Sequence, residues 1–172
     1  CLNFYQSIFF NNIIKINNGQ CEDSLNIISS KGMIAETHIT NAFSDGLDVD
    51  FSNIKFGSVS ITKSGNDCID VSSGNYNIMK IDVKKCGDKG VSVGEKSNMI
   101  IQVLNVEEAL IGLSSKDSSS TIVRSNKQKN VKNCFEVKKK KQEFDGSKLE
   151  LVSLNCKKNI VDINSNIVVG GL

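Results

Sequence analysis

Three aspartates in two neighbouring segments are the residues best able to do chemistry. Asp48 and Asp50 flank one aliphatic residue, and Asp70 occupies the position of Asp48 in the next segment of the same pattern. If the aliphatic residues point into a core, alternation along a strand places these carboxylates together on the outer face. We expect about 7 Å between them along a strand and about 5 Å between adjacent strands. Carboxylates this close repel, so a bound cation or a raised pKa would relieve them.

This acidic strip has three interpretations. The strip could be a Ca²⁺ site that binds an acidic polysaccharide, because calcium takes several oxygen ligands. It could instead act by acid/base catalysis on a glycosidic bond, where two carboxylates flank the sugar. A solvated polar face that keeps the sheet soluble remains the third. Asp48, Asp50 and Asp70 are therefore the binding and metal-ligand candidates, Asp48 and Asp70 are also catalytic candidates, and we expect either no cofactor or Ca²⁺.

A base would have to come from lysine, since the only arginine, Arg124, lies far along the chain. Lys96 and Lys116 occupy matching positions by our alignment of the segments 94–97 and 114–117, which predicts a basic strip beside the acidic one. A catalytic lysine needs a lowered pKa; otherwise these are surface charges. The run of lysines at 138–141 is interpreted as a solvated loop or an anion contact, and the single histidine, His38, has no partner for a catalytic pair.

A repeat with a period of about 22 must position these groups. Leu25, Leu47, Ile69 and Val91 follow one another at equal steps, and each begins an aliphatic pair of the type Leu-x-Val. Further pairs follow at Ile111/Leu113, Phe135/Val137 and Val161/Ile163. A constant period in this range is typical of one structural unit stacked many times. The four residues are therefore predicted to form one interior row.

Alternation of period two within each repeat indicates short strands. The chain has no proline, 13 glycines and 20 asparagines, which suits strands joined by tight turns. We predict an all-β fold, a right-handed single-stranded parallel β-helix of about seven coils of roughly 20–26 residues. Residues 1–172 are expected to form a single domain, which can be a fragment of a longer chain. Asp23, Asp45 and Asp67 precede the aliphatic pairs and are expected to bond to turn backbone.

Composition excludes some classes of partner. The net charge of +2 arises from 21 basic and 19 acidic residues, so nothing favours binding to nucleic acid through phosphate neutralisation. No apolar run approaches the length of a membrane span. The six cysteines lack zinc spacing, and we interpret them mainly as small buried apolar residues rather than as a disulfide set.

The repeats resemble those of right-handed parallel β-helix proteins of the pectate-lyase type. The shared motif is Asn/Gly-Asp-x-Ile/Leu-x-Val, present at 65–71 and 44–49. The segment 87–97 is similar to β-helix modules of bacterial exported or surface proteins, including those attached to spore-coat-kinase-like (CotH-type) domains. The resemblance covers residues 21–117 and implies a fold shared by lyases, epimerases, hydrolases and inert spacers.

Three functions follow from these observations. The first is a non-catalytic module of an exported or cell-surface bacterial protein that binds polysaccharide or a protein partner, or acts as a spacer. The second is a polysaccharide lyase or epimerase acting on acidic glycans, with a calcium-binding acidic strip and a lysine base. The third is end-to-end self-association, because an uncapped end coil exposes unpaired strand edges.

Overall fold

The computed structural model describes residues 1–154, 156 and 158–170 and contains fourteen strands, all paired in parallel. The described residues include no helix long and apolar enough to cross a membrane. The strands are β1 Leu2–Tyr5, β2 Ile8–Asn17, β3 Asp23–Ile28, β4 Lys31–Ala42, β5 Asp45–Asp50, β6 Asn53–Ser64, β7 Ile69–Ser72, β8 Asn75–Cys86, β9 Lys89–Gly94, β10 Asn98–Lys116, β11 Ser120–Lys138, β12 Lys148–Leu151, β13 Asn159–Val161 and β14 Asn166–Val169.

The strands form a parallel β-solenoid of about eight turns, close to the predicted seven. One face, face A, stacks β1, β3, β5, β7 and β9, and continues through the C-terminal parts of β10 and β11 to β13. The even-numbered strands β2 to β8 and the first parts of β10 and β11 form the other side. In β4 the alternation of buried and exposed residues is broken after Ile34, because the next buried residue is Thr37, three positions later. Each long strand therefore turns a corner and contributes to two faces, which we call B and C.

The predicted interior row is confirmed. Leu25, Leu47, Ile69 and Val91 are register partners in succession, and all four are fully buried. At about 25 cal/mol per Å² of apolar area removed from water, each coil is stabilised by the coils above and below it.

The period is more regular than our alignment of the later repeats. Val91 pairs with Leu113 rather than Ile111, and Leu113 pairs with Phe135, so the step between coils stays constant from Leu25 to Phe135. Val161 pairs with Val137, and Ile163 lies outside the strand and is almost fully exposed. The assignment of Ile111 and Ile163 to the interior row was therefore wrong. The prediction of the last coil is tested only to residue 170, because residues 171 and 172 lie outside the described range.

The six cysteines form three disulfides, which corrects the interpretation of them as free buried residues. The pairs are Cys1–Cys21, Cys68–Cys86 and Cys134–Cys156, with Cα atoms 5.3–6.2 Å apart. Each bond joins residues 18–22 positions apart, about one coil, and so closes one turn of the solenoid. Crosslinks of this loop length stabilise a fold by about 3 kcal/mol each through the unfolded state.

A column of serines lines the corner between faces A and B. The N–H of Ser30 donates to Ser52 Oγ at 2.9 Å, and the same contact recurs from Ser7 to Ser30 and from Ser147 to Ser165. Ser97 and Ser119 continue the column. Each hydroxyl accepts a turn N–H, and the N–H groups of Ser97 and Ser119 donate in addition to the carbonyl oxygens of Gly94 and Lys116.

The serine column is interrupted at Gly74, where the hydroxyl of Tyr76 takes the position of the missing serine hydroxyl. A Cβ at Gly74 would lie 2.4 Å from the Tyr76 hydroxyl oxygen, so that oxygen occupies the space of a serine side chain. The backbone N–H of Ser52 faces this hydroxyl and lowers its pKa, against the larger effect of burial. The hydroxyl lies 2.8 Å from the carbonyl oxygen of Val49 and 2.7 Å from that of Ser72, and donates to one of them.

Two further columns of corner residues adopt left-handed backbone conformations although none is glycine. Asn, Gly and Asp tolerate this region best. Asn holds three of the six positions in one column, but Lys and Glu hold the others, with φ between 55° and 68°. This column consists of Asn18, Asn41, Lys63, Lys85, Glu108 and Asn130, and the other of Gln6, Ser29, Phe51, Ser73, Glu95 and Asp117.

Candidate functional site

The aspartates Asp48, Asp50 and Asp70 line one cleft on the outer surface of face A, as the alternation predicts. Asp48 and Asp70 are register partners on adjacent coils, and Asp50 ends the strand that carries Asp48. The cleft has a volume of about 340 Å³. We call it the Asp–Lys cleft, because Lys116 lines it together with the three aspartates.

The cleft exists because small residues interrupt one outer column of face A. The outer column through Asp50 continues with Ser72, Gly94 and Lys116. Gly94 has ordinary backbone geometry, and a Cβ there would meet nothing nearer than 3.7 Å, at Lys116 Cε. Gly94 thus leaves the space into which the cleft extends, between the aspartates and the lysine.

Lys116 is the most unusual side chain in the cleft. It is only 7% exposed, yet its ammonium forms no ion pair with any described residue. Burial lowers its pKa, and Asp70 opposes this shift without a direct ion pair. An ammonium on so largely buried a side chain, without an ion pair, is only partly solvated, and an anionic or hydroxyl-rich ligand would offset that cost.

The aspartates shift in the opposite direction. Burial, followed by the charges of Asp50, Asp23 and other neighbouring aspartates, raises the pKa of Asp48 to about 8. Burial also raises the pKa of Asp70, against the nearby charge of Lys116. At neutral pH the cleft therefore holds a protonated Asp48, which can donate a hydrogen bond, beside an amine that loses its proton more readily than usual.

Asp50 is fixed by its neighbour on the next coil. The Ser72 hydroxyl donates to Asp50 Oδ1. This contact orients one carboxylate oxygen and leaves the other available to a ligand. Asp48 and Asp50 can therefore act differently, one as a donor and the other as an acceptor.

A loop after β11 closes one end of the cleft. The buried Asp117 accepts the N–H groups of Lys140 and Lys141 at 2.7 and 2.8 Å. The Lys141 ammonium pairs with Glu95, and both lysines line the cleft. Lys140 and Lys141, from the lysine run at 138–141, thus border the site, and an anion contact of this run stays a prediction.

Lys96 does not join the site, and the predicted match between Lys96 and Lys116 was wrong. Lys96 lies in the corner beyond β9 and is exposed, with its ammonium 5.7 Å from the centroid of the Phe144 ring. The residue of the preceding coil in line with Lys116 is Gly94, since Val93 pairs with Ser115. Lys96 and Lys116 therefore do not form the predicted strip.

The calcium hypothesis lacks a ligand set. Among the described residues, no group of three or more His, Cys, Asp or Glu side chains is arranged to hold a metal ion. Ca²⁺ takes about six to eight oxygens.

The other singled-out residues have structural contacts. Asp45 Oδ1 accepts the N–H of Asp67, and Asp67 Oδ1 accepts the N–H of Lys89, both across one coil at 2.8–2.9 Å. The expected bond to turn backbone is confirmed for Asp45 and Asp67, whereas Asp23 accepts from the side-chain amide of Asn26 at 3.3 Å. His38 Nε2 contacts Glu36 at 2.9 Å on the exposed surface of face C, away from the cleft.

Comparison of the chain with known protein families, with characterised proteins and with solved structures gives no match. A functional assignment for this chain therefore depends on the fold and the site geometry alone.

Proposed function

We propose that this chain is a β-helix module of an exported or cell-surface protein whose Asp–Lys cleft binds a glycan. The carrying observation is the largely buried side chain of Lys116, whose ammonium has no ion pair among the described residues, in one cleft with four aspartates, Asp117 included. Hydroxyl-rich ligands suit this set, because a sugar can donate to Asp50 and accept from Asp48. A carboxylate on the sugar would in addition pair with Lys116.

Two features support export. Three disulfides are typical of oxidising compartments. The repeats also resemble β-helix modules of bacterial exported proteins, including the pectate-lyase type. A protein partner or a spacer role remains the alternative if the cleft binds no sugar.

Calorimetric titration of wild-type protein with oligosaccharides, neutral and uronate-containing, tests the proposal. Gly94→Val fills the cleft without changing charge, and the surrounding space accepts a Cβ. Lys116→Met removes the ammonium and keeps the apolar stem. We expect either change to weaken binding about tenfold or more, at about 1.4 kcal/mol per factor of ten.

Lys96→Met is the matched control, because it removes a lysine from the neighbouring corner outside the cleft. This variant should bind like wild type. Failure of folded wild-type protein to bind any glycan of the panel, or equal loss with Lys96→Met, would refute a sugar site here.

The opposite pKa shifts of Asp48 and Lys116 favour a second candidate, elimination on a uronate glycan. Lys116, in its deprotonated form, would take the proton next to the sugar carboxylate while the glycosidic C–O bond breaks and a C=C bond forms. Protonated Asp48 would give its proton to the departing oxygen. Ultraviolet absorbance of the unsaturated product tests this step. If wild-type protein binds the glycan but forms no such product, the elimination is refuted and only the binding function remains.

A further inference from the structure

A second, apolar depression lies on face B, at the N-terminal end of the solenoid. Its outer column begins with Phe10 and Met33, and returns to an apolar residue at Ile100. Phe10 is 81% exposed and Met33 43%. The depression has a volume of about 950 Å³, and we call it the face B groove.

The groove is long and narrow because of the stacking. Its lining comes from five successive coils, β2 to β10 along face B. Four steps of about 4.8 Å give a length of about 19 Å. An asparagine column forms one wall, in which Asn75 donates to Asn53 at 2.7 Å and Asn98 donates to Asn75 at 3.1 Å.

The charge of the groove has one sign. Lys31 and Lys55 line it, and no acidic residue of the described chain does. Neither ammonium forms an ion pair with a described residue. The groove therefore combines an apolar floor with two cations free to pair, which is complementary to a long apolar ligand carrying an anionic head.

We propose that the face B groove binds a single long acyl chain with a carboxylate head. One acyl chain spans about 15 Å, half of a bilayer's hydrocarbon core, and fits within the length of the groove. The chain contacts Met33 and Phe10, and the carboxylate pairs with Lys55, which lies two coils from Phe10 in the same column. A concave, narrow groove suits one chain better than the flat surface of a membrane.

Titration calorimetry with hexadecanoate, kept below its aggregation concentration, tests the site on the whole chain. Hexadecanol tests the need for the charge, and vesicles of anionic phospholipid test a membrane surface. We expect hexadecanoate to bind, and hexadecanol to bind about fivefold more weakly, as for a partly exposed ion pair. Lys55→Glu should weaken hexadecanoate binding by about tenfold while leaving hexadecanol binding unchanged.

Phe10→Ser and Phe43→Ser form a matched pair, because both phenylalanines are highly exposed and only Phe10 lines the groove. Phe10→Ser should weaken binding several-fold, and Phe43→Ser should not. No binding of hexadecanoate to folded wild type, equal effects of both serine variants, or binding to vesicles alone would each overturn the proposal.

Discussion

Replacing Tyr76 by Phe is the most direct test of the corner architecture. The hydroxyl of Tyr76 substitutes for the serine that Gly74 lacks, and the backbone N–H of Ser52 faces it. Tyr76 is 2% exposed and Ser52 is fully buried, so water cannot take the place of the lost acceptor. The substitution removes one oxygen and leaves the apolar ring in place.

The cost follows from the groups that lose their partners. A buried donor left unsatisfied costs about 1–3 kcal/mol. The carbonyl oxygens of Val49 and Ser72 also lose a possible donor, but each retains access to the backbone ladder. We therefore expect Tyr76→Phe to lower the free energy of unfolding by about 2 kcal/mol, against a total of about 5–15 kcal/mol for typical domains.

Two measurements check this value. Urea unfolding gives the global loss, and amide hydrogen exchange at Ser52 gives the local one, where the expected loss corresponds to an increase of about thirtyfold in the exchange rate. Tyr5→Phe is the control, since Tyr5 is the only other tyrosine and is 65% exposed. A typical intramolecular hydrogen bond contributes at least about 0.5 kcal/mol net, so a smaller loss, with unchanged exchange at Ser52, would refute the idea that Tyr76 replaces a serine of the column.

Three further predictions concern other parts of the fold. Replacing both Cys68 and Cys86 by Ala should lower the free energy of unfolding by about 3 kcal/mol, measured by urea titration without reductant, because the crosslink joins residues 18 positions apart; a loss below about 1 kcal/mol would contradict this. The folded-state pKa of Asp48 is raised to about 8, so the folded chain holds this proton more tightly than the unfolded chain, and stability falls as pH rises from about 4 to about 8. Asp48→Asn should flatten that slope and raise the melting temperature at pH 8, whereas Asp82→Asn should not raise it, because Lys80 and Asn105 lower the pKa of that carboxyl against the opposing effect of burial. Lys63→Asn should stabilise the fold by about 0.5 kcal/mol in urea titrations, because Asn adopts the left-handed conformation at φ 68° more readily than Lys; a loss of stability would contradict this.

The repeat alone predicted the parts of the fold that depend on translation by one coil. The constant step that places Leu47 on Leu25 also places Asp70 on Asp48. Alternation then fixes which side chains face outward. The acidic strip could therefore be found from the sequence without knowing the shape of the coil.

Errors entered where we relaxed the period. Choosing Ile111 shortened one step and moved the alignment by two positions, which placed Lys116 opposite Lys96. Keeping the step constant would have selected Leu113 and placed Lys116 in line with Gly94, as in the structure. The error had a physical cause, because Ile111 and Leu113 are both aliphatic and lie on the same side of the strand.

The disulfide pairs and the position of the loop at 139–147 could not be predicted from the repeat, because they depend on the three-dimensional path of one coil. Cys68 and Cys86 are 18 positions apart, so they meet only because one coil brings the end of face C beside the start of face A. Cysteine separations near one period were the available signal. The loop at 139–147 could be recognised as an insertion, but its direction depends on Asp117, which binds it through two backbone N–H groups.

The cleft and the interruption of the serine column both lie where one coil has a different residue from its neighbours. A glycine at position 74 removes a serine, and a tyrosine two residues later fills the gap, so the interior remains packed. A glycine at position 94 leaves its gap open on the outer face, and the next residue of that column, Lys116, is buried against it without an ion pair among the described residues. In a solenoid each residue can be compared with the residues at the same position in neighbouring coils. An unfilled gap beside a largely buried charge is therefore better evidence for a ligand site than the charge alone. By that reasoning Gly94→Val, which changes no titratable group, is a more decisive test of the cleft than any aspartate substitution.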